Sequence, residues 1–407
     1  FYWIGHLSGI AAAAVGAMGL FAWLGISFSL LTKVGAEITI SQSIGARTYL
    51  RADRYAQHAI VLSAFFGLLF GLFLFFFRVP LVSFFSFTSP VASYYANDYL
   101  AIVSFGSPFV FLNATFFGLY NGKGRSKLAF WANGIGLLLN MLLDPLLIEG
   151  YFFFPRMEVA GAALATSFSQ LCVTVVFCLL NLREDALFPT LFKPFRFSFS
   201  FAQHILRLGV PVTLLNGLFA GISLVIARLV AQWGDIGVAV QSVGAQIEAI
   251  SWMTAGGFST ALASFVGQNW GAQNIARIKK GYRLTLTYML SLGVVSTLLF
   301  MLWGEEIMGF FIPEQEAMFL GGRYLFIIGV SQIFMILEIT NSGVFNGIGR
   351  TTAPAVVGTT FNLLRIPLAL WWGSIALEGI WWGITVSSIL KGTVLTVVLL
   401  AINKRRV

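Results

Sequence analysis

Apolar runs of roughly 20 residues recur from one end of the chain to the other, and each is long enough to cross the hydrocarbon core of a bilayer as a helix. The pattern predicts helices over 10–32, 56–79, 93–119, 127–149, 159–182, 203–232, 236–264, 282–304, 315–343, 354–374 and 379–402. The polar positions gather in short connections between these runs. They do not alternate with apolar ones over segments of about ten residues, as the strands of a membrane barrel would. The longest polar connection, 183–202, carries Pro189 and Pro194 and reads as a linker too short to be a soluble domain.

The pattern repeats. Gln42-Ser43-Ile44-Gly45-Ala46 returns as Gln268-Asn269-Trp270-Gly271-Ala272, an offset of 226 (268 − 42). Asn121-Gly122-Lys123-Gly124-Arg125 returns as Asn346-Gly347-Ile348-Gly349-Arg350, an offset of 225 (346 − 121). Ala14-Val15-Gly16-Ala17 returns as Ser242-Val243-Gly244-Ala245, and Gly161 pairs more weakly with Gly379. A nearly constant offset means one block duplicated, with small length changes in loops. The expected organisation is an N-terminal lobe over 1–182, a linker over 183–202 and a C-terminal lobe over 203–407. Helix 236–264 matches helix 10–32, so helix 203–232 calls for a partner upstream of residue 10. The expectation is therefore a bundle of twelve spans, six per half, whose first helix is largely absent from this chain.

Composition agrees with the pattern. Of 407 residues 58% are hydrophobic and only 10% charged, against about 25% charged in soluble domains. The net charge of +9 raises nucleic acid as a partner, but basic loops orient a membrane protein and explain the charge without one. One set of loops and the C-terminus hold Arg47, Arg51, Arg54, Lys123, Arg125, Lys127, Arg183, Lys193, Arg196, Arg277, Lys279, Lys280, Arg283, Arg350, Lys404, Arg405 and Arg406. The opposite loops hold Arg78, Arg156 and Arg323. The first side is then cytoplasmic. With an even number of spans per half, both halves enter from the same side, as a parallel repeat about an axis along the membrane normal. Cys172 and Cys178 share one apolar segment and suit no metal site, and His6, His58 and His204 show no ligand spacing. No phosphate-binding loop, dinucleotide fingerprint or zinc motif occurs. The expectation is thus no enzyme, no cofactor and no nucleotide-binding engine on this chain. Duplicated membrane bundles of this kind are the build of secondary transporters, with the site near the bilayer midplane.

Charges inside the apolar runs are costly and need a reason. The clear cases are Asp144, Glu248, Glu338, Arg365 and Lys391, while Lys33, Glu37 and Arg228 lie nearer helix ends. Asn140 and Asp144 are four apart and share a helix face. Pro145 cannot donate to the carbonyl of Met141 and leaves a bare acceptor nearby. A carboxylate, an amide oxygen and a free carbonyl make an oxygen-rich nest for a proton or a monovalent cation; the same residues also fit a hydrogen-bonded packing role. Glu248 and Glu338, with Asn341 three residues after Glu338, could form a second polar site with Arg365 and Lys391. They could equally neutralise one another as structural pairs.

With these motifs in order, the chain resembles the multidrug and toxic compound extrusion (MATE) antiporters over essentially its whole length. The resemblance rests on Val266 to Ala272 and its counterpart at Gln42, Asn140 to Asp144, Val159-Ala160-Gly161-Ala162-Ala163-Leu164-Ala165-Thr166, and Phe345 to Thr351. It implies an all-α bundle of two six-helix lobes in a V shape. It implies export of drug-like, often cationic, small molecules in exchange for H⁺ or Na⁺, by alternating access in a bacterial or archaeal plasma membrane. By position it implies a cation site of Asn140, Asp144 and Thr166 with the backbone carbonyl of Ala162. A first-helix Asp of the family would fall immediately before Phe1. Where the NorM-type branch carries a Glu after the seventh-helix proline, Pro211 is followed here by Asn216, which favours a DinF-like reading. A monomer is expected. The nearest rival is a lipid-linked oligosaccharide flippase of the same superfamily, for which a strongly basic cavity and often fourteen spans would be expected. A channel or a membrane-embedded enzyme would need an oligomeric pore or a clustered nucleophile or metal set.

Overall fold

The computed structural model describes residues 2–404 apart from 88, 153 and 183–186. Arg183, Arg405 and Arg406 of the basic side lie outside the described residues. The chain runs α1 (Tyr2–Leu7), α2 (Gly9–Gly45), α3 (Tyr49–Ser83), α4 (Pro90–Gly122), α5 (Ser126–Ile148), α6 (Glu158–Leu182) and α7 (Phe199–Ala231). It continues through α8 (Asp235–Gly271), α9 (Ile275–Leu302), α10 (Gly304–Phe311), α11 (Gln315–Gly329), α12 (Gln332–Gly347), α13 (Thr352–Gly373) and α14 (Leu377–Lys404). Among the described residues ten helices are each long and apolar enough to cross a membrane, and α11 with α12, bent by 46°, makes an eleventh when the pair is taken as one span. The fold is the all-α membrane bundle expected. It divides into two compact units, Phe1–Thr213 and Leu214–Val407.

The duplication is visible atom by atom where helices stop. At the end of α2, Ala46 N donates to Gln42 O (2.9 Å), Arg47 N to Ile44 O (3.0 Å) and Thr48 N to Ser43 O (2.9 Å). At the end of α8, Ala272 N donates to Gln268 O (3.0 Å), Gln273 N to Trp270 O (3.0 Å) and Asn274 N to Asn269 O (2.8 Å). Arg47 and Gln273 take the same left-handed backbone, with φ of 58° and 56°. Gly124 and Gly349, after α4 and α12, both sit at φ 78°. A helix end must satisfy its last carbonyls, and a left-handed residue just beyond it lets the following amides turn back to them. The repeated sequence motifs are therefore helix stops, which is why they stand out against apolar runs that any greasy residue can fill.

Helix contacts repeat as well. A Cβ on Gly118 would lie 2.6 Å from the carbonyl oxygen of Lys33, and one on Gly343 2.7 Å from that of Ser259. One turn on, Gly122 meets Glu37 O at 2.8 Å and Gly347 meets Ala263 O at 2.6 Å. In each unit the same glycine pair lets two helices, α4 on α2 and α12 on α8, touch backbone to backbone. Apolar burial gives little advantage in lipid, so close packing of this kind holds membrane helices together.

Two departures from the expected elements have local causes. The single helix expected over 315–343 breaks at Val330–Ser331. Three carbonyls at the break are taken by side chains: Ile327 O by Thr385 Oγ1 (3.0 Å), Ile328 O by Ser331 Oγ (3.0 Å) and Gly329 O by Thr297 Oγ1 (2.9 Å). Side chains inserted into the carbonyl ladder are a regular cause of a helix bend. The helix expected over 10–32 instead runs to Gly45, because Glu37, Ser41 and Ser43, which read as a loop, are buried inside the first unit.

The linker is docked on α3. Thr190 Oγ1 donates to Asp53 Oδ2 (2.9 Å), and Gln57 Nε2 to the carbonyls of Thr190 (2.5 Å) and Lys193 (3.3 Å). Ser198 N donates to His58 Nε2 (2.8 Å), whose ring stacks on Phe201. Phe188 is fully buried, with the Lys123 ammonium 4.3 Å above its ring. Burial pushes the Lys123 ammonium down from its ordinary range, and the nearby Asp53 carboxylate offsets part of that.

Candidate functional site

The apolar face of α5 ends in the sequence Asn140-Met141-Leu142-Leu143-Asp144-Pro145. Asn140 and Asp144 lie one turn apart on one face, as the spacing requires. Helix α6 packs antiparallel on α5, with Gly161 set against the carbonyl of Leu147. That register brings Thr166 to the same level. Asn140 Nδ2 lies 3.4 Å from Asp144 Oδ1 and 3.4 Å from Thr166 Oγ1. The three oxygen-bearing side chains converge and are half-buried. Ala162, one turn before Thr166, is buried. Ile4 of α1 packs with Ile148, Val159 and Ala162 over this end of the helix pair. Tyr99 of α4 lies within electrostatic reach of Asp144. The Met141 side chain is 61% exposed and points away, so Met141 can contribute only its carbonyl, freed by Pro145. Among the described residues no lysine, arginine or histidine side chain comes within 4 Å of the Asp144 carboxylate. The carboxylate is held by an amide at a long distance, and among the described residues it has no ion-pair partner.

The second unit gathers four of its five candidate residues. Lys391 Nζ on α14 stands 3.4 Å from Glu338 Oε2 on α12. It also lies 3.5 Å from Asn362 Oδ1 on α13. Arg365, one turn after Asn362, donates from Nε to Ser387 Oγ (2.9 Å) and from Nη2 to Ser388 Oγ (3.0 Å). Its guanidinium also lies over the Phe219 ring. Glu248 on α8 accepts from Gln332 Nε2 at 3.2 Å. Gln332 opens α12 just beyond the bend, where the positive end of a helix favours a carboxylate. Asn341 stays apart: it accepts from Tyr282 Oη (2.7 Å) and donates to Thr396 Oγ1 (2.8 Å). Sequence reasoning missed Gln332, Asn362, Ser387 and Ser388. For Asn362, Ser387 and Ser388 the available signal was a polar residue one turn from Arg365 or Lys391 in an apolar run; Gln332 carried no such signal.

The family model for MatE matches residues 1–146 and 211–371. The chain belongs to the MATE family. Among curated MATE relatives, the probable multidrug resistance protein NorM of Thermotoga maritima is 26% identical over 96% of this chain and 84% of its own length. The probable multidrug resistance protein YoeA of Bacillus subtilis is 24% identical over 89% of this chain and 78% of its own. The crystal structure of MATE in complex with MaD5 superposes with a TM-score of 0.90 at 22% identity, over 99% of this chain and 91% of that one. At that identity the superposition establishes the shared fold, here the MATE helix bundle.

Proposed function

We propose that this MATE protein exports drug-like, often cationic, small molecules across a bacterial or archaeal plasma membrane in exchange for H⁺ or Na⁺. The names of the Thermotoga and Bacillus relatives support the export of drugs. The convergence of Asn140, Asp144 and Thr166, with no lysine, arginine or histidine side chain within 4 Å of the carboxylate among the described residues, supports coupling at this site. A carboxyl held away from water is costly as a bare anion. An entering proton or sodium ion would neutralise it and lower the cost of repacking α5 and α6. With Ala162 and Met141 offering carbonyl oxygen, these residues can receive either ion. Asn216 of α7, standing where the NorM-type branch carries a carboxylate, favours coupling through the N-terminal unit and hence the DinF-like reading. The coupling ion can bias the two access states only by its differential affinity for them.

The test is Asp144→Asn in proteoliposomes with an imposed ion gradient. The expected outcome is a folded protein that binds drug but no longer transports it uphill. Uphill transport at the wild-type rate by that variant removes Asp144 from the mechanism.

A further inference from the structure

The two cations buried in the second unit are held differently. Arg365 rests on two serine hydroxyls and an aromatic face, and among the described residues no carboxylate reaches within 4 Å of it. Glu248 is held by Gln332 at the start of α12. Of these two buried cations, among the described residues, Lys391 is the one in direct contact with an opposite charge. Its ammonium lies between the Glu338 carboxylate at 3.4 Å and the Asn362 amide oxygen at 3.5 Å. Both distances exceed the 2.7–2.9 Å of a tight charge-assisted bond, so the ammonium is loosely seated. The ionisable groups around it are Glu338 of α12, Arg365 of α13 and Glu248 of α8, with Tyr324 of α11 beside the last two. Arg365 acts at a distance on both Glu248 and Glu338, and Lys391 is the cation in direct contact with Glu338.

A carboxylate and an amide oxygen, brought from separate helices onto one positive centre, are oxygen donors of the kind a hard cation takes. Here the positive centre is tethered to the protein. We propose that Glu338 and Asn362 form a second cation site, in the C-terminal unit, whose resident occupant is the Lys391 ammonium. The tether closes that site to sodium, and the only ion exchanged there is a proton. The inference rests on the cation-coupled reading above but does not use the Asp144 site.

The test keeps Asp144→Asn in every arm, so that failure of the N-terminal site cannot be mistaken for failure of this one. Thermal unfolding of the purified full chain is followed in sodium chloride and in choline chloride of equal ionic strength. With Lys391 intact, the two salts give the same melting temperature. Adding Lys391→Ala makes the melting temperature rise with sodium concentration, because an ion that binds only the folded state stabilises it by mass action. Adding Glu338→Gln as well abolishes that rise. A Lys391→Ala protein indifferent to sodium, or unable to fold in either salt, overturns the proposal, as does a sodium response that survives Glu338→Gln. A sodium response with Lys391 intact that Glu338→Gln abolishes also overturns it, and that arm needs no change at Lys391.

Discussion

At the scale of single residues, the N-terminal site is a matter of one turn of helix. Asn140 touches both Asp144 and Thr166 with one nitrogen at 3.4 Å, so it positions the carboxylate and the hydroxyl relative to each other. Asn140→Ala removes a hydrogen bond to a charged group, about 1.5–3 kcal/mol, or roughly 10- to 100-fold in affinity for the coupling ion. Sodium, which loses an amide oxygen, binds more weakly, and a proton, which no longer competes with that hydrogen bond, binds more tightly. Drug binding stays unchanged, and the change appears as a shifted driving-ion concentration for half-maximal efflux. Wild-type ion dependence in Asn140→Ala would leave Asn140 without a part in coupling. The i, i+4 spacing made Asn140 and Asp144 legible in the sequence. Thr166 lies on another helix, and only the family resemblance pointed to it. Gln332 was not legible as the partner of Glu248, because 84 residues separate them and only tertiary packing brings them together.

At the scale of elements, the spans were legible because a backbone in lipid must satisfy its polar groups internally, as a helix or a closed barrel, and the unbroken apolar runs fit only the helix. The bend between α11 and α12 was not, because its cause is Thr297 and Thr385 reaching in from α9 and α14. The docking of the linker was not either, since Asp53, Gln57 and His58 look like any polar helix end. Gln57 holds two linker carbonyls at once. Gln57→Ala leaves both without that donor, at a cost of about 1–3 kcal/mol, and the linker opens more often from the folded state. Trypsin reports this. Lys193 precedes Pro194 and resists cleavage, so the bond after Arg196 is the one to follow. Cleavage there is expected to quicken roughly tenfold in Gln57→Ala, as local opening becomes cheaper. An unchanged rate with an unchanged melting temperature would mean that Phe188 and the His58 stack hold the linker without Gln57.

At the scale of the whole molecule, the repeated helix stops and the one-sided basic loops make a joint claim about orientation. Arg47 to Arg54 follow the first stop and Arg277 to Arg283 follow its copy, about one repeat later. If the two halves descend from one block and run parallel, both clusters lie on the same side of the membrane. The basic bias says that side is the cytoplasm. Arg156, before α6, and Arg323, in α11, then belong to the outer end of the bundle. Single cysteines test this in a variant with Cys172 and Cys178 replaced by alanine. Arg51→Cys and Arg277→Cys should resist a membrane-impermeant maleimide in intact cells and react after permeabilisation. Arg156→Cys, whose side chain is exposed, should react in intact cells. Opposite labelling at Arg51 and Arg277 would make the halves antiparallel. Inverted labelling at all three would keep the parallel repeat but turn the coupling gradient around, so that the proposed exporter would have to work as an importer.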